Sequence, residues 1–281
     1  MNLSLGLGNS GKSMYNLDAA IACATGQSWL GFETTGPMQT LYIDEDCPVS
    51  ETMRRIKRLC LGRGFDYRME KDFLNNFHLS PMCGVKVDSD TCFASIQATL
   101  TEHKIAMTFI DALVAVHDKD ENLNIEMRGV MRDRLRVLMR NCKVGMEVMH
   151  HVSRPHKDAP VTNALKSRGA TEILNASDQA CLFEQEDEGL SGTLTMCRSR
   201  VLARPWPKKL KVVMLDVEDA TICVSGTHGS GAGKAFETTC KIAQLSIHRL
   251  SVREVQERLQ KEGLEVSVGT VQTGLLPFSR L

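Results

Sequence analysis

The chain has 281 residues, 42% of them apolar and 24% charged, a globular balance that excludes collagen-like, low-complexity and largely disordered chains. Thirty-four Lys and Arg against thirty-four Asp and Glu give a net charge of zero. That excludes a whole-chain polycation built to coat nucleic acid, while leaving room for a local basic patch. No run approaches the roughly 18 consecutive apolar residues needed to cross a bilayer, so no membrane partner is expected. The opening MNLSLGLGNSGKS lacks the basic and apolar regions of a secretory signal, and the expected location is the cytoplasm. Ten cysteines without a CxxC pair read as reduced thiols packed as small apolar residues rather than as a zinc site.

Residues 1–225 alternate short apolar β-type runs with helical patterns, which predicts an α/β fold with a mainly parallel central sheet. Residues 1–5 form the first strand, expected to be short, with elements that usually precede it missing. Residues 16–24 follow as a helix, with Leu17, Ala20, Ile21 and Ala24 at helical spacing. Residues 39–43 make the next strand and 50–61 a basic amphipathic helix. Strands are predicted over 77–79 and 105–110, then a helix over 125–141 with Met127, Val130, Met131, Arg134, Leu135 and Leu138 along one side. Strands over 145–149 and 179–183 complete the parallel set. The runs 192–197, 210–215 and 221–224, separated by polar turns, predict an antiparallel extension.

The segment SGTHGSGAGK at 225–234 reads as a flexible linker between a domain over 1–224 and a small helical unit over 235–281. There Ser251 and Glu254 form a capping box ahead of a helix over 252–261. Gly263 stops that helix and Ser267 can cap a second one over 268–276. This is the plan of a helix-turn-helix, or of a helical hairpin that merely packs.

Gly6, Gly8, Asn9, Ser10, Gly11, Lys12 and Ser13 lie in GLGNSGKS, a full match to G-x-x-x-x-G-K-[ST] between a strand and a helix. The glycines let successive backbone N–H groups curl round a β-phosphate at a positive helix end. Lys12 would reach the β- and γ-phosphates of ATP, and the Ser13 hydroxyl would ligate Mg²⁺. Asp111, closing the strand over 105–110, is the carboxylate expected to hold the Mg²⁺ shell together with Ser13.

The strand over 39–43 ends in Asp44, Glu45 and Asp46. Three adjacent acids repel one another, so a cation or ordered water is expected nearby, and one of them could polarise an attacking water. His150 and His151 end another strand on opposite faces, and one can sense a γ-phosphate. Arg168 follows a long polar loop. Arg198 and Arg200 open a run to residue 211 without an acid, and as alternate strand residues they can point together at a phosphate.

In the order and spacing of GNSGKS, Trp29-Leu-Gly31, TLYIDEDCP with MRRIKRL behind it, Phe109-Ile-Asp111, Asp120-Glu-Asn122, the His pair and Arg168-Gly169, residues 1–215 resemble a known family. These are the RecA-like P-loop ATPases related to the hexameric plasmid replicative helicase RepA, within the DnaB-type helicase and recombinase class. The resemblance implies a RecA-like sheet, with ATP held between neighbouring subunits of a ring. Lys12 and Ser13 would bind phosphate and Mg²⁺, and Asp111 would be the Walker B residue. Asp46 would stand where the family keeps its catalytic Glu, unless Glu45 has taken that role. His151 would be the γ-phosphate sensor, Arg168 an arginine finger, and Arg198 and Arg200 the paired basic residues of the same interface. The loops over 116–125 and 152–166 match positions that face DNA in relatives, although the first is acidic here.

Three functions follow. One is a DNA-dependent ATPase, a replicative or mobile-element helicase acting on single-stranded DNA as a hexamer. The second is a weakly hydrolysing ATP switch that recruits a protein partner, such as a replication protein, through the C-terminal unit. The third is a small-molecule kinase, which leaves Arg168 and the His pair without a role.

Overall fold

The computed structural model describes residues 1–152, 171–186, 191–200, 209–227, 240–243, 245, 250–262, 264, 266–267 and 271. The parallel strands are β1 (Asn2–Gly6), β2 (Thr40–Asp44), β3 (Phe77–Pro81), β4 (Met107–Asp111), β5 (Gly145–His151) and β6 (Gln179–Gln185). The antiparallel extension is β7 (Ser191–Ser199), β8 (Lys209–Val217) and β9 (Ala220–Thr227). Their order in the sheet is β3-β2-β4-β5-β1-β6-β7-β8-β9, so the strand that carries the glycine loop is central.

The helices are α1 (Lys12–Thr25), α2 (Val49–Gly62), α3 (Lys71–Asn76), α4 (Asp90–Glu102), α5 (Asn124–Arg128), α6 (Arg136–Cys142), α7 (Thr171–Ala176) and α8 (Val252–Lys261). Strand alternation builds two apolar faces. Leu3, Leu5, Ile110 and Val148 pack with Leu100 of α4, Leu138 of α6 and Ile173 of α7. Tyr42, Phe109 and Met149 pack on the other face with Leu17 and Ile21 of α1 and Ile56 and Leu59 of α2. The result is a three-layer α/β/α core.

The predicted strands are all present, with boundaries moved by a few residues. The helix expected over 125–141 is α5, a π-helical stretch over Gly129–Leu135, and α6 in succession. Within it Arg134 leaves the apolar side to bond Asp90 at 2.6 Å and to lie over the Phe93 ring of α4. Helix α4 is not among the expected elements, although Phe93, Ile96 and Leu100 face the core at helical spacing and Ser89 caps its start.

The proposed linker needs a correction at its start. Ser225, Gly226 and Thr227 belong to β9 and pair with Val212, Lys211 and Leu210, because β8 offers them a complete ladder partner. Residues 228–234 of that linker lie outside the described residues. In the C-terminal unit the expected capping box is present, with Ser251 Oγ accepting from Glu254 N and Glu254 Oε2 accepting from Ser251 N at 2.7 Å. Val255 and Leu259 of α8 share a small cluster with Ile242 and Val271. Of the second expected helix, over 268–276, Val271 alone is described. Among the described residues no helix is long and apolar enough to cross a membrane.

The basic helix α2 is tied to the β8–β9 turn. Arg58 donates to Glu218 O, Ala220 O and Thr221 Oγ1 and pairs with Asp216 at 3.0 Å. A Cβ on Gly62 would stand 2.0 Å from Thr221 O, which is backbone and cannot swing aside. Gly62→Ala should therefore cost about 3 kcal/mol or more by forcing α2 from β9. Gly129→Ala meets nothing within 4 Å and should cost nothing or stabilise slightly. Urea unfolding of the two variants checks the pair; equal midpoints would refute the close contact.

Candidate functional site

β1 ends at Gly6 and the chain turns through residues 7–10 into α1, whose N-cap is Gly11. Asn9 and Gly11 take left-handed conformations with φ 60° and 91°, which curls the loop. A Cβ on Gly6 would lie 2.8 Å from Phe183 O and 2.9 Å from Ser10 Oγ, so the approach of β6 admits only glycine. At Gly8 a Cβ would meet nothing within 4 Å, leaving open space over the loop. Ser10 Oγ is buried without a hydrogen-bond partner, and no side chain caps α1. An uncapped helix start with an orphaned hydroxyl beside open space fits an anion.

Lys12 reaches back across this cradle, donating to Leu7 O at 2.7 Å with His151 Nδ1 3.4 Å away. Burial lowers the Lys12 ammonium to about 8, against the opposing pull of Asp111 and Asp46. Asp111, at the end of β4, is buried and bonded by Ser13 and by Tyr42 Oη at 3.0 Å. Burial pushes its carboxyl up to about 6, with Asp44 and Asp46 adding and the Ser13 and Tyr42 hydrogen bonds opposing. A hydroxyl and an under-compensated carboxylate side by side fit a hard divalent cation.

The sequence pattern does not single out Tyr42. It lies on β2, beside β4 and two residues before Asp44, which is in register with Asp111. That pairing is the missing signal.

The raised Asp111 carboxyl makes stability depend on pH. It titrates higher folded than unfolded, so the penalty is absent below the ordinary value of 3.8 and complete above about 6. Asp111→Asn should raise the stability of the ligand-free protein by up to about 3 kcal/mol at pH 8 and by nothing at pH 3.5. Denaturant titrations at the two pH values check this; an equal gain at both would refute the assignment.

The three acids after β2 separate into distinct roles. Asp44 is buried; its Oδ1 accepts from the backbone N–H of Asp46 and Cys47 at 3.2 and 3.0 Å, and its Oδ2 from Thr52 Oγ1 at 2.6 Å. Glu45 accepts from Cys83 N at 2.9 Å and Gly84 N at 3.0 Å, clamping the loop after β3. The expected relief by a cation or water is thus supplied for these two by backbone donors and Thr52. Asp46 is exposed and is the member of the trio whose charge acts on both Lys12 and Asp111.

The histidines part as strand geometry requires. His151 faces Lys12, and His150 is buried with Nδ1 3.6 Å from Glu121 Oε1. In the acidic loop over 116–125 Lys86 pairs with Asp118 at 2.7 Å and His150 lies against Glu121, while Leu123 and Ile125 stay exposed.

Arg198 and Arg200 do not join the cradle. Antiparallel pairing puts Ser199 opposite Gln179, the first residue of β6, so both arginines sit at the sheet edge away from Gly6. Arg198 bonds Asn175 Oδ1 at 3.4 Å and Arg200 bonds Asn175 O at 2.9 Å. The whole strand length separates them from a phosphate held by Lys12 of the same chain. Arg168 and residues 153–166 of the expected DNA-facing loop lie outside the described residues.

The sequence profile of the AAA domain family matches residues 2–157, more than half of the chain, from β1 through β5. The chain belongs to the AAA domain family. This AAA domain protein is similar to two solved structures. The KaiC-like protein PH0186 from the hyperthermophilic archaeon Pyrococcus horikoshii OT3 has a TM-score of 0.53 at 12% identity, covering 80% of this chain and 88% of that one. The second, a structure of an ATPase domain, has a TM-score of 0.54 at 11% identity, covering 79% of this chain and 83% of that one. At such identities the likeness is one of fold, and the fold is that of a RecA-like P-loop ATPase. No curated protein matches the sequence.

Proposed function

We propose that this protein binds ATP with Mg²⁺ and hydrolyses it as a ring-forming, DNA-dependent ATPase, a helicase of replication or of a mobile element. The observation that carries the reading is the convergence of Lys12, Ser13 with Asp111, Asp46 and His151 on one cradle at the sheet edge. The phosphate loop fits the β- and γ-phosphates, with Gly6, Gly8, Asn9, Ser10 and Gly11 shaping it and Lys12 opposing the charge. Ser13 and Asp111 are the residues that would hold Mg²⁺, which when bound neutralises phosphate charge and polarises the phosphoryl oxygens. Asp46 orients the attacking water and takes its proton, while His151 reads the γ-phosphate from beside Lys12.

The resemblance to ring helicases makes a neighbour's nucleotide the ligand of Arg198 and Arg200 in a hexamer. It gives Arg168 the same trans-acting part. The alternative is a weakly hydrolysing switch that recruits a protein partner through the C-terminal unit. It is favoured by one feature, the commitment of Glu45 to Cys83 and Gly84, which leaves the shorter Asp46 for the chemistry.

Steady-state phosphate release with Mg²⁺ tests the reading, measured with and without single-stranded DNA over a range of protein concentrations. Turnover per subunit that rises with both is the expected result. Tight ATP binding with flat, near-zero turnover would select the switch, and no ATP binding would overturn both.

A further inference from the structure

Beneath α1, on the face shared with Tyr42 and Phe109, lies a cavity of about 330 Å³. That volume lies within the range of roughly 300–1,000 Å³ of small-molecule sites. Its floor includes Asn2, Met107 and Gln179, the first residues of β1, β4 and β6. The cavity is therefore set toward the edge opposite Gly6 and is separate from the phosphate cradle.

Its walls are apolar, with Tyr15, Trp29 and Met196 among them, but one wall carries a carboxyl, Glu147 of β5. The residues lining it include no Lys, Arg or His.

Hydrogen-bond counting defines the state of that carboxyl. Ser4 Oγ lies 2.5 Å from Glu147 Oε1 and 3.1 Å from Asn16 Oδ1. The Asn16 orientation is fixed by its amide nitrogen, which donates to Lys12 O at 3.0 Å. A serine hydroxyl has one proton, so it cannot donate to both oxygens. Both contacts are satisfied when Glu147 is protonated and donates to Ser4, which in turn donates to Asn16. The protonated carboxyl thus satisfies both contacts at the wall of an apolar chamber that offers it no positive side chain.

We propose that this cavity binds a small amphipathic organic cation, with an ammonium or amidinium head on Glu147 and an apolar body against Tyr15, Trp29 and Met196. On binding, the Glu147 proton leaves to solvent, the carboxylate receives the cationic head, and Ser4 turns its proton onto Glu147. The lining excludes an anion, which would meet an acid and no base. A wholly apolar guest leaves the carboxyl unused. Asn16 bonds both Ser4 and the Lys12 carbonyl, so the site is joined to the first turn of α1.

The pH dependence follows from the same groups. Burial holds the Glu147 carboxyl up to about 7, opposed by hydrogen bonds from Ser4 and Asn2 and by the Met1 ammonium. Tyr15 on α1 is raised far above its ordinary value by burial and Cys181 on β6 is pushed up to about 12, so neither titrates near neutrality. The Met1 ammonium is held 2.7 Å from Asp178. A cation that selects the ionised carboxylate should bind about tenfold more tightly at pH 8 than at pH 6.

The test is a ligand-observed NMR titration of the full chain with benzylamine, benzyl alcohol and benzoate at both pH values. Benzylamine should bind, more tightly at pH 8, with benzyl alcohol weaker and insensitive to pH and benzoate absent. In Glu147→Gln, an isostere of the neutral acid, the preference for the amine and its pH trend should both vanish. Failure of benzylamine to bind, equal binding of amine and alcohol, or a pH trend that survives in Glu147→Gln would each overturn the proposal. Should that variant fail to fold, the amine-to-alcohol ratio of the unaltered chain across the two pH values decides alone.

Discussion

Replacing Lys12 by alanine should lower nucleotide affinity by about 10²–10³-fold and bring phosphate release to background. The reason lies in how the cradle is charged. Lys12 is buried, its ammonium lies on Leu7 O beside His151, and it faces two acids, Asp111 and Asp46. Without it, an entering polyphosphate meets those carboxylates with no cation supplied by the loop.

The native side chain makes a second test possible. Burial lowers Lys12 to about 8 in the free protein, and a bound anion raises it. Affinity is therefore complete below pH 8 and falls by up to tenfold per unit above it until the bound group also loses its proton. Titrations with a slowly hydrolysed ATP analogue from pH 7 to 9.5 check this. A flat profile, or an alanine variant that binds normally, would remove Lys12 from the site; thermal melting of the variant confirms that it folds.

The second large effect separates two neighbouring acids. Asp46→Asn should reduce turnover by about 10²–10⁴-fold, the range for loss of a general base. Nucleotide affinity should stay unchanged or tighten, since the substitution removes negative charge from the cradle. Glu45→Gln should keep turnover within a fewfold of the native rate. Its cost appears as stability: an amide cannot accept from both Cys83 N and Gly84 N through its two ends, and losing one solvent-exposed hydrogen bond costs about 0.5–1 kcal/mol. Phosphate release together with analogue binding distinguishes the cases. A collapse of turnover in Glu45→Gln with Asp46→Asn active would transfer the role of base to Glu45 and require the Cys83–Gly84 clamp to open during the cycle.

Much of this molecule is legible without any coordinates. Apolar runs locate the strands, and the glycine, lysine and serine of GLGNSGKS locate the cradle, because both signals are complete within a few consecutive residues. Helix α8 is equally plain from Ser251 and Glu254, since a capping box is complete within four residues. Helix α4 is less plain, because its stripe is only Phe93, Ile96 and Leu100 among polar and small residues. Ser225–Thr227 misleads, because Gly and Ser composition predicts a linker wherever no partner strand is known, and β8 supplies one.

By itself the sequence determined the order of strands along the chain, the phosphate loop, and the carboxylates and histidines at strand ends, all properties of single segments. Tertiary structure decided what those groups do. It committed Asp44 to Thr52 and the backbone, set Glu45 on the β3 loop and left Asp46 toward Lys12. It carried Arg198 and Arg200 to the far edge and placed Tyr42 against Asp111. It also brought Ser4, Asn16 and Glu147 together under α1. These pairings join residues far apart in the chain, and their geometry is fixed by strand order and register, which a one-dimensional pattern does not contain.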